Sequence, residues 1–143
     1  MARRLTVFTD GGARGNPGPA AIGFVVRNSS GKIIHQQGKY IGKATNNVAE
    51  YQAVIEALKW IKKNCQLPLS RLEFFLDSKL IVNQLNGLFK VKEIKMRNLI
   101  IKVRQLEREA GGNVSYQTIP REKNSLADSL VNRAIDKETT SLR

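Results

Sequence analysis

The spacing of apolar residues changes along the chain, and in its first part it alternates in the manner of β-strands. Leu5, Val7 and Thr9 would share one face of a run that ends at Asp10, and residues 21–27 and 32–40 have the composition of two further strands. A short turn sequence at 28–31 joins the second run to the third, and a segment rich in glycine and proline at 11–19 joins the first two. These connections predict an antiparallel meander.

The second part of the chain combines helical spacing with short apolar runs. Apolar residues from Val48 to Ile61 recur at helical spacing and predict a helix that ends near Asn64. The same criteria predict a strand at 72–76, a helix at 78–85, a helix that begins near Ile94 and is ended by Gly111 and Gly112, a strand at 114–119 and a helix at 125–136. The last residues, 137–143, carry no apolar pattern and are predicted to fray.

This order of elements predicts an α/β fold, in which helices pack on a mixed sheet. The long helix between the third and fourth strands can carry the chain back across the sheet, so that the fourth strand lies parallel to the first. If the two are neighbours, their carboxyl ends lie side by side. Asp10 follows the first strand and Asp77 follows the fourth.

Four acidic residues stand at element ends in the predicted fold. Asp10 and Asp77 follow strands, whereas Glu50 and Asp128 lie on the first turns of two helices. Each alone has a structural interpretation: Asp10 would start a turn, Glu50 would complete a capping box with Asn47, Asp77 would cap a helix, and Asp128 would interact with a helix dipole. Together they would repel one another and lose hydration unless a cation neutralised them.

A cluster of carboxylates without Cys or His selects a hard divalent ion such as Mg²⁺ or Mn²⁺. Two such ions about 4 Å apart, bridged by one aspartate, activate water and stabilise the leaving oxygen of a phosphodiester. If the four acids converge, they therefore indicate phosphodiester hydrolysis.

The charge of the chain favours the same class of substrate. There are 24 Lys and Arg residues and 12 Asp and Glu residues, so the net charge is +12. Such an excess on a small domain favours a polyanionic partner, with nucleic acid first and an anionic membrane surface second. Solubility alone is the remaining interpretation of the charge.

Composition excludes several other classes of protein. A chain of 143 residues with 41% hydrophobic residues is expected to form one domain with its own core. Its single cysteine, Cys65, and single histidine, His35, exclude an intrachain disulfide and a Cys/His zinc site. The sequence contains no run of roughly 18 apolar residues, which is the length that a membrane-spanning helix requires. Residues 1–4 lead into a strand without the apolar centre of a signal peptide, so we expect a cytoplasmic protein.

Four motifs around the acids resemble those of the type 1 ribonuclease H family, in the same order and with the same spacing. The resemblance extends from about Leu5 to Ile135. The motifs are Thr9–Ala20, Thr45–Tyr51, Leu76–Leu80 and Asn124–Leu130. Each is moderately specific by itself, whereas four in order are highly specific.

The resemblance implies a ribonuclease H-like fold, with a mixed five-stranded sheet and helices on both sides. Members of the family cut the RNA strand of RNA–DNA hybrids with two Mg²⁺ ions, for which Mn²⁺ can substitute, and leave 3′-hydroxyl and 5′-phosphate ends. By resemblance the metal ligands are Asp10, Glu50, Asp77 and Asp128, with Asp10 as the bridge. A non-catalytic module that binds hybrid or double-stranded RNA, and a related nuclease that also cuts double-stranded RNA, are the alternatives.

The resemblance also implies residues that bind the substrate. Asn16, Asn46 and Asn47 match positions that touch the nucleic-acid backbone, and Thr45 matches a residue that helps to hold a DNA phosphate. Neutral donors of this kind do not read bases, so cleavage is expected to be largely independent of sequence. Lys79 is either a phosphate contact or a solvated lysine.

The sequence departs from many relatives at two places. The loop before the last acid, residues 119–124, contains no histidine, and His35 belongs to a predicted strand and is expected to be structural. Arg121 is our candidate for the missing role, although an ordinary exposed arginine is the other interpretation. The basic protrusion of some relatives is absent, and four cations are candidates for part of its role: Lys90, Lys92, Lys95 and Arg97.

These observations divide the chain into a ribonuclease H catalytic domain at residues 1–137 and a short flexible tail at 138–143. We expect a monomer whose partner is an RNA–DNA hybrid.

Overall fold

The computed structural model describes residues 3–141 and contains five strands, four α-helices and one 3-10 turn. The strands are β1 (Arg4–Ala13), β2 (Gly18–Arg27), β3 (Ile33–Ala44), β4 (Arg71–Leu76) and β5 (Val114–Thr118). The helices are α1 (Asn46–Asn64), α2 (Lys79–Leu85), α3 (Ile94–Glu109) and α4 (Ser125–Ser141), and the 3-10 turn spans Arg121–Asn124. Among these helices, none is long and apolar enough to cross a membrane.

The sheet is mixed, as predicted, and its strand order is β3-β2-β1-β4-β5. The first three strands form the antiparallel meander, whereas β4 runs parallel to both β1 and β5. Helix α1 returns the chain from the edge strand β3 to the far side of β1. The carboxyl ends of β1 and β4 are therefore neighbours, which confirms the predicted topology.

Helices cover the two faces of the sheet, and glycines let them approach closely. A Cβ atom built on Gly11 of β1 would lie 2.2 Å from the Ala49 carbonyl oxygen of α1. A Cβ atom on Gly23 of β2 would lie 2.5 Å from the Ala127 carbonyl oxygen of α4. The main core, which includes apolar residues of α1, α2 and α3, lies on the α1 face, and α4 packs on the opposite face.

The first hairpin is longer than predicted. Strands β1 and β2 pair as far as Ala13 with Ala20, so most of the predicted loop at 11–19 is strand. Glycine and proline hide the alternation of this segment, yet the small residues are what allow two strands to pair between two helices. Asp10 consequently lies inside β1, not at its end. It does lie beyond the last β1–β4 pair, Phe8 with Phe75.

Residues 138–141 of the predicted tail continue α4. Buried Ile135 anchors this part of the helix, and the Thr139 hydroxyl donates to the Ile135 carbonyl oxygen at 3.0 Å. A polar sequence can remain helical when the helix is already nucleated by packing upstream. Residues 142–143 lie outside the described residues.

His35 has the structural role that was predicted. Its ring stacks on Trp60 of α1 with centroids 4.2 Å apart and planes 10° apart, and a ring nitrogen lies 3.0 Å from Gln37 Oε1. Residues 86–93 join α2 to α3.

The tight contact at Gly23 gives the first prediction. Gly23→Ala is expected to lower the free energy of unfolding by about 1–3 kcal/mol, because the new methyl group must displace the α4 backbone. Gly12→Ala is the matched control, since its Cβ would lie 3.7 Å from Val131 and fits without a shift. Urea denaturation measures both. Equal stability of the two variants would contradict the packing described here.

Candidate active site

Three of the predicted acids converge at the edge where β1 and β4 separate. One carboxylate oxygen from each of Asp10, Glu50 and Asp77 lies within 4.8 Å of the other two. Asp10 comes from β1, Asp77 directly follows β4, and Glu50 comes from the N-terminal part of α1. The residues are 27 to 67 positions apart in sequence, and the parallel pairing of β1 with β4 brings them together.

The N-terminus of α1 is arranged differently from the capping box considered above. Helix α1 begins at Asn46, and its N-cap is Thr45, whose Oγ1 accepts a hydrogen bond from the Val48 N–H at 3.2 Å. Glu50 therefore lies at the start of the second turn and takes no part in capping. The close approach at Gly11 brings the Glu50 backbone over β1, so its carboxylate can reach Asp10.

Asp77 is likewise free of a capping role. Ser78 is the N-cap of α2, and its Oγ accepts from the Ile81 N–H at 3.3 Å. Asp77 Oδ2 instead accepts a hydrogen bond from Asn124 Nδ2 at 3.2 Å. The same Asn124 amide donates to the Thr9 carbonyl oxygen at 2.8 Å.

Asn124 is a functional candidate that sequence reasoning missed. It is almost fully buried, with 1% of its surface exposed, and it fills the gap where β1 and β4 diverge. It thereby fixes both Asp77 and the residue before Asp10. Its place in the fourth motif was the only signal in the sequence, because the contact partners are 115 and 47 positions away.

Asp128 lines the same cleft but lies outside the group of three close oxygens. It projects from the first turn of α4, and its Oδ2 accepts from Asn132 Nδ2 at 3.4 Å. The cleft is also lined by Asp10, Glu50, Asp77 and Arg121. Thus the structure brings the four predicted acids to one cleft, and carboxylate oxygens of three of them are close enough together to share one ion.

Burial and mutual repulsion strongly perturb the acids in the metal-free protein. Burial, followed by the charges of Asp77 and Asp128, raises the pKa of Asp10 from its usual 3.8 to about 8. Burial raises the pKa of Glu50 from 4.5 to about 7, although a hydrogen bond from Ser78 opposes this shift. The carboxyl groups of Asp10 and Glu50 therefore hold protons near neutral pH in the metal-free protein, and a bound cation would displace those protons.

The donor set fits a hard divalent ion. Glu50 Oε2 is buried and has no hydrogen-bond partner among the described residues. A buried carboxylate oxygen without a partner is costly, and an ion beside it would remove that cost. The ligands of the cluster are oxygens only, which suits Mg²⁺ or Mn²⁺ and not a soft metal.

Two asparagines connect the first hairpin to α1 beside the acids. Asn16 Oδ1 accepts from the Asn46 N–H at 3.0 Å, and Asn46 Oδ1 accepts from the Ala13 N–H at 2.8 Å. Both residues are exposed, as are Asn47 in the first turn of α1 and Lys79 at the start of α2. The predicted substrate residues therefore lie on the surface, and Asn46 also lines the cleft.

Arg121 is exposed at the start of the 3-10 turn and lines the cleft with the acids. Its charge acts on the site, because it lowers the pKa of Glu50 against the larger effect of burial. Arg121 therefore lies beside the carboxylates, and its role in catalysis stays a prediction.

Comparison with protein-family models and with solved structures shows which family this chain belongs to. The family described as reverse transcriptase-like matches residues 8–134, so the chain belongs to that family. Its structure superposes on LC11-RNase H1, isolated from compost by a metagenomic approach, with a TM-score of 0.90 and 44% identity, covering 95% of this chain and 98% of the other. The chain is thereby a member of the type 1 ribonuclease H family, whose enzymes are metal-dependent.

Curated relatives give the same result. The chain is 37% identical over 133 residues to ribonuclease HI of Halobacterium salinarum, covering 93% of this chain and 65% of that protein. It is 37% identical over 139 residues to a bifunctional protein of Mycobacterium tuberculosis, covering 96% of this chain and 37% of that protein. The chain thus spans about a third of the mycobacterial protein and just under two thirds of the halobacterial one.

The raised pKa values give the second prediction. Because Asp10 and Glu50 bind protons in the folded state up to about pH 8 and 7, the metal-free fold loses stability as the pH rises from about 4.5 through 8. Thermal unfolding in EDTA measures this loss. Asp10→Asn is expected to raise the melting temperature at pH 8 and flatten the pH dependence, and added Mg²⁺ should do the same for the unaltered protein.

The control for this prediction is Glu122→Gln, which removes an exposed acid outside the cluster. That variant should keep the pH dependence of the unaltered protein. A stability in EDTA that increases between pH 5 and pH 8 would contradict the repulsion described for the carboxylates.

Proposed function

We propose that this protein is an endoribonuclease that hydrolyses the RNA strand of RNA–DNA hybrids and leaves 3′-hydroxyl and 5′-phosphate ends. The reaction uses two divalent ions, Mg²⁺ in the first place, with Mn²⁺ able to substitute. The observation that carries the proposal is the convergence of Asp10, Glu50 and Asp77 within 4.8 Å of one another. A solved relative, LC11-RNase H1, which is 45% identical with a TM-score of 0.90 and covers 94% of this chain, forms a complex with an RNA/DNA hybrid.

In this proposal the four acids hold the ions. Asp10 would bridge the two ions, and Glu50, Asp77 and Asp128, which line the same cleft, would supply the other carboxylate ligands. Bound ions would activate water and stabilise the charge on the phosphodiester oxygens. Asn124 keeps the Asp77 carboxylate in position, because its amide is itself fixed to the β1 backbone.

Discrimination of RNA from DNA is expected to involve Glu50. A ribose 2′-hydroxyl is a donor that DNA lacks. Glu50 lines the cleft with the other acids, and its carboxylate would accept a hydrogen bond from that hydroxyl. This side chain would therefore contact both the ion and the strand that is cut.

Neutral donors at the surface are proposed to hold the substrate backbone. The side-chain carbonyl oxygens of Asn16 and Asn46 are engaged within the protein, which leaves their NH₂ groups as donors to phosphate or sugar oxygens. Thr45 and Asn47 at the start of α1 and Lys79 at the start of α2 are the other residues proposed to contact the substrate. Because none of these groups needs a particular base, cleavage is expected to be largely independent of sequence.

Exposed cations extend this surface. Lys90, Lys92, Lys95 and Arg97 are all exposed in and after the segment that joins α2 to α3. They are proposed to contact phosphates farther along the hybrid, in place of the basic protrusion. Cleavage of double-stranded RNA, a monomeric state and a cytoplasmic location stay predictions.

The proposed activity gives the third prediction. The protein is expected to cut the labelled RNA strand of an RNA–DNA hybrid in the presence of Mg²⁺ or Mn²⁺ and to leave the strand intact in EDTA. Asp10→Asn should reduce the rate by a factor on the order of 10³ or more while the fold persists, because the bridging ligand loses its charge. Denaturing gel electrophoresis follows the cleavage, and circular dichroism verifies the fold.

The same assay separates the two candidate functions. Tight binding of the hybrid by folded protein, with no cleavage in either metal, would favour the non-catalytic binding module and overturn the proposal. Cleavage of double-stranded RNA at a similar rate in a parallel reaction would extend the proposal to a broader nuclease.

Arg121 gives the fourth prediction. Arg121→Ala is expected to lower kcat for hybrid cleavage about tenfold with no change in melting temperature, because the side chain is exposed and its charge faces the cleft. Arg121→Lys should retain part of the rate. Arg108→Ala, at an exposed arginine of α3, is the matched control and should cut normally. Unchanged cleavage by Arg121→Ala would assign Arg121 to the solvated surface.

A further inference from the structure

Part of the sheet face that carries Asp10 is not covered by α4. Helix α4 packs on β1, β2 and β3. Farther across the same face, Phe8, Phe75 and Gln117 form one cross-strand row on β1, β4 and β5. The two phenylalanines are half-buried and Gln117 is exposed. The rings of Phe8 and Phe75 stack with centroids 5.1 Å apart and planes 24° apart.

Cations surround this aromatic pair. The Arg27 guanidinium lies 5.8 Å from the Phe8 ring centroid, and its position is fixed by a hydrogen bond to the Gly31 carbonyl oxygen at 3.0 Å. Lys123 is exposed in the 3-10 turn that precedes α4. Two further cations, Arg4 and Arg71, lie along the same face and pair with buried Glu73. The surface is thus aromatic in its centre and positively charged at its margins.

A cavity of about 160 Å³ adjoins the aromatic pair at the start of α4. Phe8, Val25 and Leu126 supply apolar walls, and Arg27 and Lys123 supply charge. Asn124 also lines the cavity, and its Oδ1 is a buried acceptor without a partner among the described residues. The lining therefore offers an apolar surface and two cations, which suit the ring of a nucleobase and its phosphate.

We infer that this surface, defined by Phe8, Phe75, Arg27 and Lys123, binds an unpaired single-stranded segment of nucleic acid. Aromatic rings stack on any base, and neighbouring cations hold the backbone, which is how single strands are bound without reading sequence. Phe8 is two residues before Asp10 and on the same face, so the backbones of the two residues are about 7 Å apart along β1. A strand that leaves the cleft can continue onto it.

The chemistry of the surface favours a nucleic acid over an acidic peptide. A peptide that recognises a sheet adds to an edge strand through backbone hydrogen bonds. Here Phe8, Phe75 and Arg27 lie on the face of the three strands β1, β4 and β2, of which β1 is central, and Lys123 lies in the 3-10 turn beside them. Flat aromatic side chains on a sheet face suit stacked bases, as in sheet-based RNA-binding domains. The choice of nucleic acid as the polymer rests on the proposed function.

The test is direct binding of a fluorescent oligodeoxythymidine of about 12 nucleotides, measured by anisotropy at low salt in EDTA. The unaltered protein is expected to bind, and both Phe75→Leu and Arg27→Gln are expected to weaken binding by about fivefold or more. Neither change touches the carboxylate cluster. Because binding is measured without metal, the result is independent of whether the protein cleaves hybrids.

Phe89→Leu is the control, since Phe89 is a half-exposed phenylalanine beside the exposed cations of the α2–α3 segment. Weaker binding by Phe89→Leu, with normal binding by Phe75→Leu and Arg27→Gln, would overturn the inference and assign single strands to that segment. Equal competition by a glutamate-rich peptide of matched charge would overturn it in favour of an acidic protein partner. Normal binding by all three variants would also refute it.

A second measurement uses the hybrid. A hybrid with a single-stranded RNA overhang on one side is expected to show a lower KM than a blunt hybrid, with the same kcat, and Arg27→Gln should remove the difference. Identical KM values for blunt and overhanging hybrids of both polarities would contradict the inference while leaving the proposed cleavage activity intact.

Discussion

Repulsion among buried carboxylates is the constraint on which the rest of this structure depends. Asp10, Glu50 and Asp77 have oxygens within 4.8 Å of one another, and burial raises the pKa of two of them into the neutral range. A chain without other restraints would separate such groups. The fold prevents this because each acid is attached to a different rigid element, and the sheet register leaves those elements no freedom to move apart.

Small residues and buried amides provide that rigidity. Gly11 and Gly23 allow α1 and α4 to pack directly against the strands, so that acids near the N-termini of both helices reach the same cleft. Asn124 then ties the Thr9 backbone to Asp77 at the point where the strands separate. A negative side chain near a helix N-terminus is also favoured by the helix dipole, which partly offsets the repulsion at Asp128.

Negative and positive charges are concentrated in different parts of the molecule. The chain carries a net charge of +12, yet its active cleft is acidic. The cations lie outside the cluster, as Arg121 at its margin and as exposed lysines along the α2–α3 segment. The net positive charge thereby attracts a polyanion to the protein surface. Because the cations lie outside the cluster, the carboxylates stay free to bind divalent ions.

Much of this was accessible from the sequence. The order of elements, the parallel pairing of β1 with β4 and the role of His35 followed from local periodicity and connection lengths, which depend on neighbouring residues alone. The motifs identified Asp10, Glu50, Asp77 and Asp128, although no local pattern measures the distances between them. The extension of β1 through Gly11 and Gly12, the helical state of 138–141 and the contacts of Asn124 were not predicted. Each of these depends on partners far away in the chain, so only tertiary packing could decide them.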